Sequence, residues 1–439
     1  MAVGWPLAPA AEPGAAATAG VGPSRFRHGE FAPPALTTLP AAVAANVAAI
    51  RARTRAPVMA VVKADGYGHG AVAVARAAVA AGARWLGTAG LAEAAELRVA
   101  GFTQPILAWL HPSGVDADAA VAGQIDIAVG SVDQLEALRL GRRRRLAVGQ
   151  PFVGAAGGPE AWGLGRWSRR VANRSVVGAA GGLEAWRRGA APCVRVHLYA
   201  DTGMAREGCP AGEWDALVAR ARQAQRDGAI RVVGLMGHLP LADRGGSEAN
   251  APAVARLRQA RQALLAAGFE TPLTHLAATW GTFSDPAAHF DMVRIGAGLV
   301  GIGPPGGAWR GAARLTAPVV HSAAVRAGVP VGYGGQHVTA AATNLAVLPL
   351  GYADGIPREI SPAAAVEIRG RRCRIVGRVS MDQIVVDTGA ESVPRGATAT
   401  IFGPEGGAVP TIQEWARWAG TIPHAIVTGI GPRVARMTA

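Results

Sequence analysis

Eight short apolar runs punctuate the first two thirds of the chain, at 57–63 (PVMAVVK), 84–88 (RWLGT), 104–109 (QPILAW), 125–129 (IDIAV), 193–200 (CVRVHLYA), 231–237 (RVVGLMG), 272–276 (PLTHL) and 292–296 (MVRIG). Each is short, rich in β-branched residues and apolar at nearly every position, as in a strand buried on both faces. Between them lie Ala-rich segments such as AAVAANVAAIRAR and EWDALVARARQAQRDG, whose apolar residues recur every three or four positions. Strand and helix in alternation require parallel pairing, because each crossover returns the chain to the same edge. Eight such units predict an α/β fold of the (β/α)8 TIM-barrel type.

Beyond residue 315 the pattern changes. Runs such as VVHSAAVR, AAAVEIRG, RRCRIVGRV, QIVVDT and ATATIFG are separated by Gly and Pro turns, with almost no helical stretch before about 411. This predicts a mostly antiparallel β domain. The expected organisation is a mobile N-terminal tail (1–35), a barrel domain (36–310) and a C-terminal β domain (311–439). A near-identical pair, VGAAGGPEAW at 153–162 and VGAAGGLEAW at 177–186, reads as a tandem duplication at about 150–190, accepted in a surface connection.

Composition changes the picture at one point. Of 439 residues, the 44 basic ones are 43 arginines and one lysine, Lys63. The formal charge of +14 raises nucleic acid as a partner, but the arginines are scattered over Ala-rich helices and only Arg142 to Arg145 form a run. No nucleic-acid role is expected. No run of about 18 uninterrupted apolar residues is present, so no membrane span is expected. Three scattered cysteines give neither a disulfide framework nor a metal pair, and the N-terminus lacks the basic region of a signal peptide, which points to a cytoplasmic protein.

A barrel carries its chemistry at the C-terminal ends of its strands. Lys63 ends the first run, Arg206 follows the fifth, His238 the sixth and Thr279 the seventh, while Arg294 and Gly296 close the eighth. Barrel phosphate sites are commonly built after strands seven and eight, where Thr279 and Gly296–Ala297–Gly298 lie. A phosphate site beside an isolated lysine suggests pyridoxal phosphate, whose aldehyde needs a primary amine. Of the four tyrosines, Tyr67, Tyr333 and Tyr352 sit in Gly-flanked turns (DGYGHG, VGYGGQ, LGYADG), and Tyr199 ends the fifth run.

Taken in order, VMAVVKADGYGHG, DTGMAREG, GLMGHL, FDMVRIGAGLVG, VGYGGQ, LGYADGIPR and GRVSMDQ resemble the bacterial alanine racemase family, pyridoxal-phosphate enzymes of fold type III. The resemblance covers about residues 40 to 435. It implies racemisation of L- and D-alanine by two bases, Lys63, which also carries the cofactor, and Tyr333, supplied by the partner of a homodimer. His238 would favour the Tyr333 phenolate, and Arg294 would face the pyridine nitrogen. Tyr67, Thr279, Gly296 and Ala297 would hold the phosphate. Arg206, Tyr352, Met381 and Asp382 would shape the site for a small amino-acid substrate, and the product would supply D-alanine for peptidoglycan. A related racemase of different preference, or a cofactor-binding relative without turnover, are the alternatives.

Three positions depart from the family pattern. Tyr199 stands where the family often has a carbamate-bearing lysine that steadies the arginine at the Arg206 position. Ala278–Thr279 replaces an Asn-Ser pair. Thr428, in HAIVTGIGPR, aligns with a phosphate-contacting tyrosine, which implies a roomier pocket and a side activity on serine.

Overall fold

The computed structural model describes residues 32–111, 115–138, 193–244, 246–270, 272–404 and 406–439. The N-terminal tail up to residue 31 and the duplicated segment lie outside the described residues.

All eight predicted runs are strands of one parallel barrel: β2 (Val58–Val61), β3 (Trp85–Thr88), β4 (Ile106–Ala108), β5 (Ile125–Val129), β6 (Val194–Tyr199), β7 (Ile230–Met236), β8 (Leu273–His275) and β9 (Val293–Ile295). They run in the order β8-β7-β6-β5-β4-β3-β2-β9, and a parallel bridge from His275 to Met292 joins the two ends. Strands β2 and β5 are buried at every position. Both faces are covered, one by helices and one by the barrel interior, so apolar residues are selected without alternation.

The helices form because Ala-rich sequence has the highest helix propensity, and they dock through an apolar stripe. In the helix Pro40–Arg51, Val43, Val47 and Ile50 are fully buried, and Pro40 occupies the first turn, where no amide donor is needed. A second apolar group, Met59, Val61, Leu107, Ala128, Tyr199, Met236 and Met292, fills the barrel interior. Polar side chains Asp126, His197 and His275 are buried there too.

The second domain is built on a nine-stranded sheet, order β11-β14-β17-β16-β15-β18-β10-β1-β19. Its strands are β1 (Ala35–Thr38), β10 (Ala313–Pro318), β11 (His321–Val325), β14 (Thr343–Leu348), β15 (Ala365–Ile368), β16 (Arg371–Val376), β17 (Ile384–Gly389), β18 (Thr398–Phe402) and β19 (Ala435–Thr438). A hairpin of β12 (Pro330–Val331) and β13 (His337–Val338) stands beside it.

One boundary needs correction. Residues 36–38, assigned from sequence to the barrel domain, belong to the sheet of the second. Strand β1 pairs antiparallel with β10 and parallel with β19, with Leu36 and Thr38 turned into the core. Four residues carry too short a pattern to announce a strand, and the partners that stabilise it lie some 280 and 400 positions away. The chain therefore begins its described course in one domain, builds the barrel, and returns to close the same sheet. No helix among the described residues is long and apolar enough to cross a membrane.

Candidate active site

At the C-terminal mouth of the barrel lies a cavity of ≈ 220 Å³. Lys63 enters it directly after β2, half-buried, with its Nζ 5.9 Å from the ring centroid of Trp109. Burial pushes the amine's pKa down, and the positive charges of Arg206 and Arg294 add to this while Glu207 and Glu93 oppose it.

Lys63 is presented by an unusual turn. Ala64, Asp65, Gly66, Tyr67 and Gly68 have φ of 52°, 52°, 62°, 58° and 79°, five consecutive residues in the left-handed region. Such a conformation costs a non-glycine residue about 1–2 kcal/mol, so something must hold it. Glu93 does so: its carboxylate accepts from Ala64 N at 2.8 Å and, at the end of β3, from Ala89 N at 2.8 Å. Asp65 accepts from Ala71 N at 2.8 Å, and Gly66 N donates to Val62 O at 2.8 Å.

The turn drives Tyr67 back across the barrel mouth. A Cβ at Gly296 would lie 2.1 Å from the Tyr67 hydroxyl, so only glycine leaves room for it. Burial pushes the phenol up to about 12, so it stays protonated and donates. Thr279 faces the same spot from the end of β8, its hydroxyl accepting from Gly298 N at 3.1 Å. A hydroxyl from Tyr67, a hydroxyl from Thr279 and the backbone around Gly296–Ala297 thus form a small polar cradle, of the kind that takes a phosphate.

Arg294, on β9, lies beneath the cavity and is 5% exposed. Its Nη1 donates to His275 Nδ1 at 2.8 Å and to His275 O at 3.0 Å; its Nη2 donates to Gly237 O at 2.7 Å, Leu276 O at 3.0 Å and His238 Nδ1 at 3.2 Å. Among the described residues none accepts from Nε, although the side chain lines the cavity. Desolvation lowers Arg294 to about 10, which leaves it charged near neutrality. Burial, then Arg294, Arg206 and Lys63, push His238 down to about 3. His238 is therefore neutral, and since Nδ1 accepts from Arg294 its proton sits on Nε2.

Arg206 rides on the turn 201–209. Asp201 Oδ1 accepts from the amides of Gly203, Met204 and Ala205 at 2.8, 2.9 and 3.2 Å, and Cys209 N donates to Tyr199 O at 2.7 Å. The guanidinium Nη2 lies 3.0 Å from Glu207 Oε2, which also accepts from the Tyr199 hydroxyl at 3.3 Å.

Eight of the predicted residues, Lys63, Tyr67, Arg206, His238, Thr279, Arg294, Gly296 and Ala297, line this one cavity. The other four do not. Tyr333, Tyr352 and Met381 are 71%, 39% and 52% exposed, and Asp382 pairs with Arg433 at 2.7 Å on the surface of the second domain. The turns of Tyr352 and of Met381–Asp382 are locked together: Tyr352 N and Ala353 N donate to Ser380 O and Met381 O, each at 3.0 Å, and Arg433 spans Asp354 and Asp382. Hydrogen bonds to Asp354 and then Asp382 hold the Arg433 guanidinium above its usual range.

Sequence reasoning missed Glu207, Trp109, Trp280 and His424 as lining residues. It also misplaced one contact. Thr428 is exposed, donates to His424 O at 2.7 Å and does not line the cavity; His424, four residues earlier, does. The His424 ring lies 6.0 Å from Tyr67 and 6.2 Å from Trp280. It arrives on the helix Pro423–Gly429 of the second domain, which docks so closely that a Cβ on Gly68 would be 2.3 Å from Val427 O.

A closed parallel barrel whose mouth gathers the one lysine of the sequence, a small polar cradle and a buried charged arginine, capped by a β domain, defines an enzyme of the barrel class. Comparison with known proteins resolves the class further. Residues 40–150 and 170–304 match the family model "Alanine racemase, N-terminal domain", and 312–438 match "Alanine racemase, C-terminal domain". The chain is 38% identical over 405 residues to the alanine racemase of Thermobifida fusca, covering 90% of this chain and 95% of that one. With the alanine racemase of Beutenbergia cavernae it is 39% identical over 404 residues, again covering 90% and 95%. The crystal structure of alanine racemase from D-cycloserine-producing Streptomyces lavendulae superposes with a TM-score of 0.79 at 35% identity, over 93% of this chain and 97% of that one. The chain belongs to the alanine racemase family, and it is a racemase.

Proposed function

We propose that the chain interconverts L- and D-alanine in the cytoplasm, using pyridoxal 5'-phosphate and two bases on opposite faces of the substrate Cα, and so provides D-alanine for peptidoglycan. The observation that carries the reading is the convergence of seven predicted residues around the sole lysine of the sequence in one cavity.

The cavity fits the cofactor. The cradle of Tyr67, Thr279, Gly296 and Ala297 suits a phosphate, Lys63 offers the amine, and Arg294 has an Nε free of protein acceptors among the described residues. When bound, pyridoxal phosphate supplies an aldehyde for an amine and an electron-withdrawing ring that acidifies the Cα–H of an attached amino acid. The residues supply the rest. Arg294 would donate to the ring nitrogen, and because a guanidinium does not give up its proton it would leave that nitrogen unprotonated. Lys63, its pKa lowered by burial, takes or gives a proton at Nζ on one face.

Tyr333 serves the other face, from the second copy of a homodimer. In the single chain its ring is bare, as are Tyr352, Met381 and Val338 on the same domain, and a second copy would cover them. The neutral His238, with its proton on Nε2, would donate to the phenolate of a Tyr333 supplied by the second copy. Arg206, which lines the same cavity, would bind the substrate carboxylate.

Subunit complementation tests both bases at once. Lys63→Ala and Tyr333→Phe should each abolish racemisation in a coupled L-to-D alanine assay, Tyr333→Phe with its cofactor retained. Refolded together in equal amounts, they should recover about a quarter of wild-type activity, since half of the dimers are mixed and each mixed dimer has one intact site. Mixed dimers without activity would remove Tyr333 from the partner's site.

A further inference from the structure

The family comparison gives no role to Glu207, yet it stands at the centre of the least expected group in the cavity. Its Oε2 receives two donors: Arg206 Nη2 at 3.0 Å and the hydroxyl of Tyr199 at 3.3 Å. The three differ in environment, with side-chain exposures of 56% for Arg206 and 26% for Glu207, and Tyr199 buried in the barrel. They form a gradient from rigid interior to open cavity, with the carboxylate in the middle.

An exposed Arg–Glu pair is ordinarily worth little, because both side chains are free to move. Here the carboxylate is not free. Tyr199 is fixed at the end of β6, and its hydroxyl reaches Glu207 from inside the barrel. The backbone beneath is equally constrained: Asp201 staples the turn, Cys209 N bonds to Tyr199 O, and Ala205 adopts φ 52°, after which both Arg206 and Glu207 face the cavity. Two consecutive side chains on one side of the chain need such a break in an extended course.

We propose that Glu207, anchored by the Tyr199 hydroxyl, is the positioning residue that holds the Arg206 guanidinium ready for the substrate carboxylate. The proposal rests on the racemase reading of the cavity. Two effects of the carboxylate oppose one another. It fixes a long, entropically costly side chain, and it repels an incoming carboxylate. The first dominates because Glu207 shares its oxygen with two donors, which spreads its charge, whereas a loose arginine must be immobilised at each binding event.

Glutamine and leucine at position 207 separate the two effects. Gln keeps an acceptor oxygen for both donors and loses the charge; Leu keeps the bulk and loses both. Two quantities are measured on the cofactor-loaded protein: KM and kcat for each alanine enantiomer, and the Kd of propionate, a carboxylate without the amine, from quenching of tryptophan fluorescence, Trp109 and Trp280 being in the cavity wall. Glu207→Leu should raise KM for both enantiomers and the propionate Kd about tenfold, equivalent to about 1.4 kcal/mol. Its kcat and cofactor absorbance should stay near wild type. Glu207→Gln should remain within about threefold of wild type in both quantities. Tyr199→Phe should weaken propionate by about threefold and add nothing to Glu207→Leu, because it acts through the same carboxylate.

Tighter propionate binding by both Glu207 variants would show that the carboxylate only repels, and would overturn the proposal. So would unchanged binding in Glu207→Leu, or effects of Tyr199→Phe and Glu207→Leu that simply add. If wild type fails to turn over alanine, the racemase reading falls on its own, while the propionate arm still reports on Arg206.

Discussion

His275 Nδ1 accepts from Arg294 Nη1 at 2.8 Å, and the opposite nitrogen of the same ring lies 2.9 Å from His197 Nδ1. A guanidinium cannot accept, so the His275 proton is on Nε2 and is donated to His197. His197 in turn reaches Asp126 from Nε2 at 3.2 Å, and Arg195 closes the line at 2.7 Å from the same carboxylate. The arginine beneath the cavity is thus backed by a hydrogen-bonded line across the barrel core, and its orientation is fixed from behind.

His275 in that line, together with His69 and His238 outside it, should make the fold acid-sensitive. Burial, then Arg294 and His197, hold His275 well below its usual pKa; burial takes His69 to about 4 and, with Arg294, Arg206 and Lys63, His238 to about 3. Their pKa values are depressed in the folded state, so the stability they contribute is present above the unfolded value of about 6.5 and is lost as pH falls toward 4. Each takes up one proton on unfolding, so the three together give a slope approaching about 4 kcal/mol per pH unit near pH 5. Urea unfolding measured between pH 7 and 4.5 should show this loss, and a flat profile down to pH 5 would contradict buried neutral histidines.

Gly296 and Tyr67 provide a test of the phosphate cradle. Gly296→Ala places a methyl 2.1 Å from the present hydroxyl position, so Tyr67 must leave. Titration of the apoprotein with pyridoxal phosphate should show affinity reduced at least about tenfold, or about 1.4 kcal/mol. Unchanged affinity would mean that the hydroxyl takes no part in holding the phosphate.

Glu93 makes a third case. Its carboxylate serves three amides, those of Ala64, Ala89 and Gly90, and so pays the strain of the left-handed turn that presents Lys63. Glu93→Ala should lower the unfolding free energy by about 1–3 kcal/mol and reduce kcat, since the lysine would no longer be held to one position. Normal kcat in this variant would show that the turn is maintained by other contacts.

Selectivity between alanine and serine should follow His424, not Thr428. Thr428 points away from the cavity, so Thr428→Val should leave the ratio of kcat/KM values unchanged. His424→Ala opens the wall beside Trp280 and should shift the ratio toward serine, by up to about tenfold, as expected for a small change of pocket volume. A response at 428 and none at 424 would reverse the assignment.

Most of the barrel was legible in the sequence, because hydrophobic period is a local property: a segment buried on both faces is apolar throughout wherever it lies. The same rule placed Lys63, Arg206, His238, Thr279 and Arg294 at strand ends, and parallel closure then brought those ends to one mouth. The β1 strand was not legible, since a four-residue segment acquires its structure from β10 and β19 alone. Nor was His424, whose place depends on how a helix of one domain docks on a turn of the other. The Tyr199–Glu207–Arg206 group depends on a turn with positive φ at Gly203, Ala205 and Gly208. What the chain writes locally it determines by itself; which distant side chains share a cavity is decided only when packing brings domains together, because that choice is made by contacts with no period in the sequence.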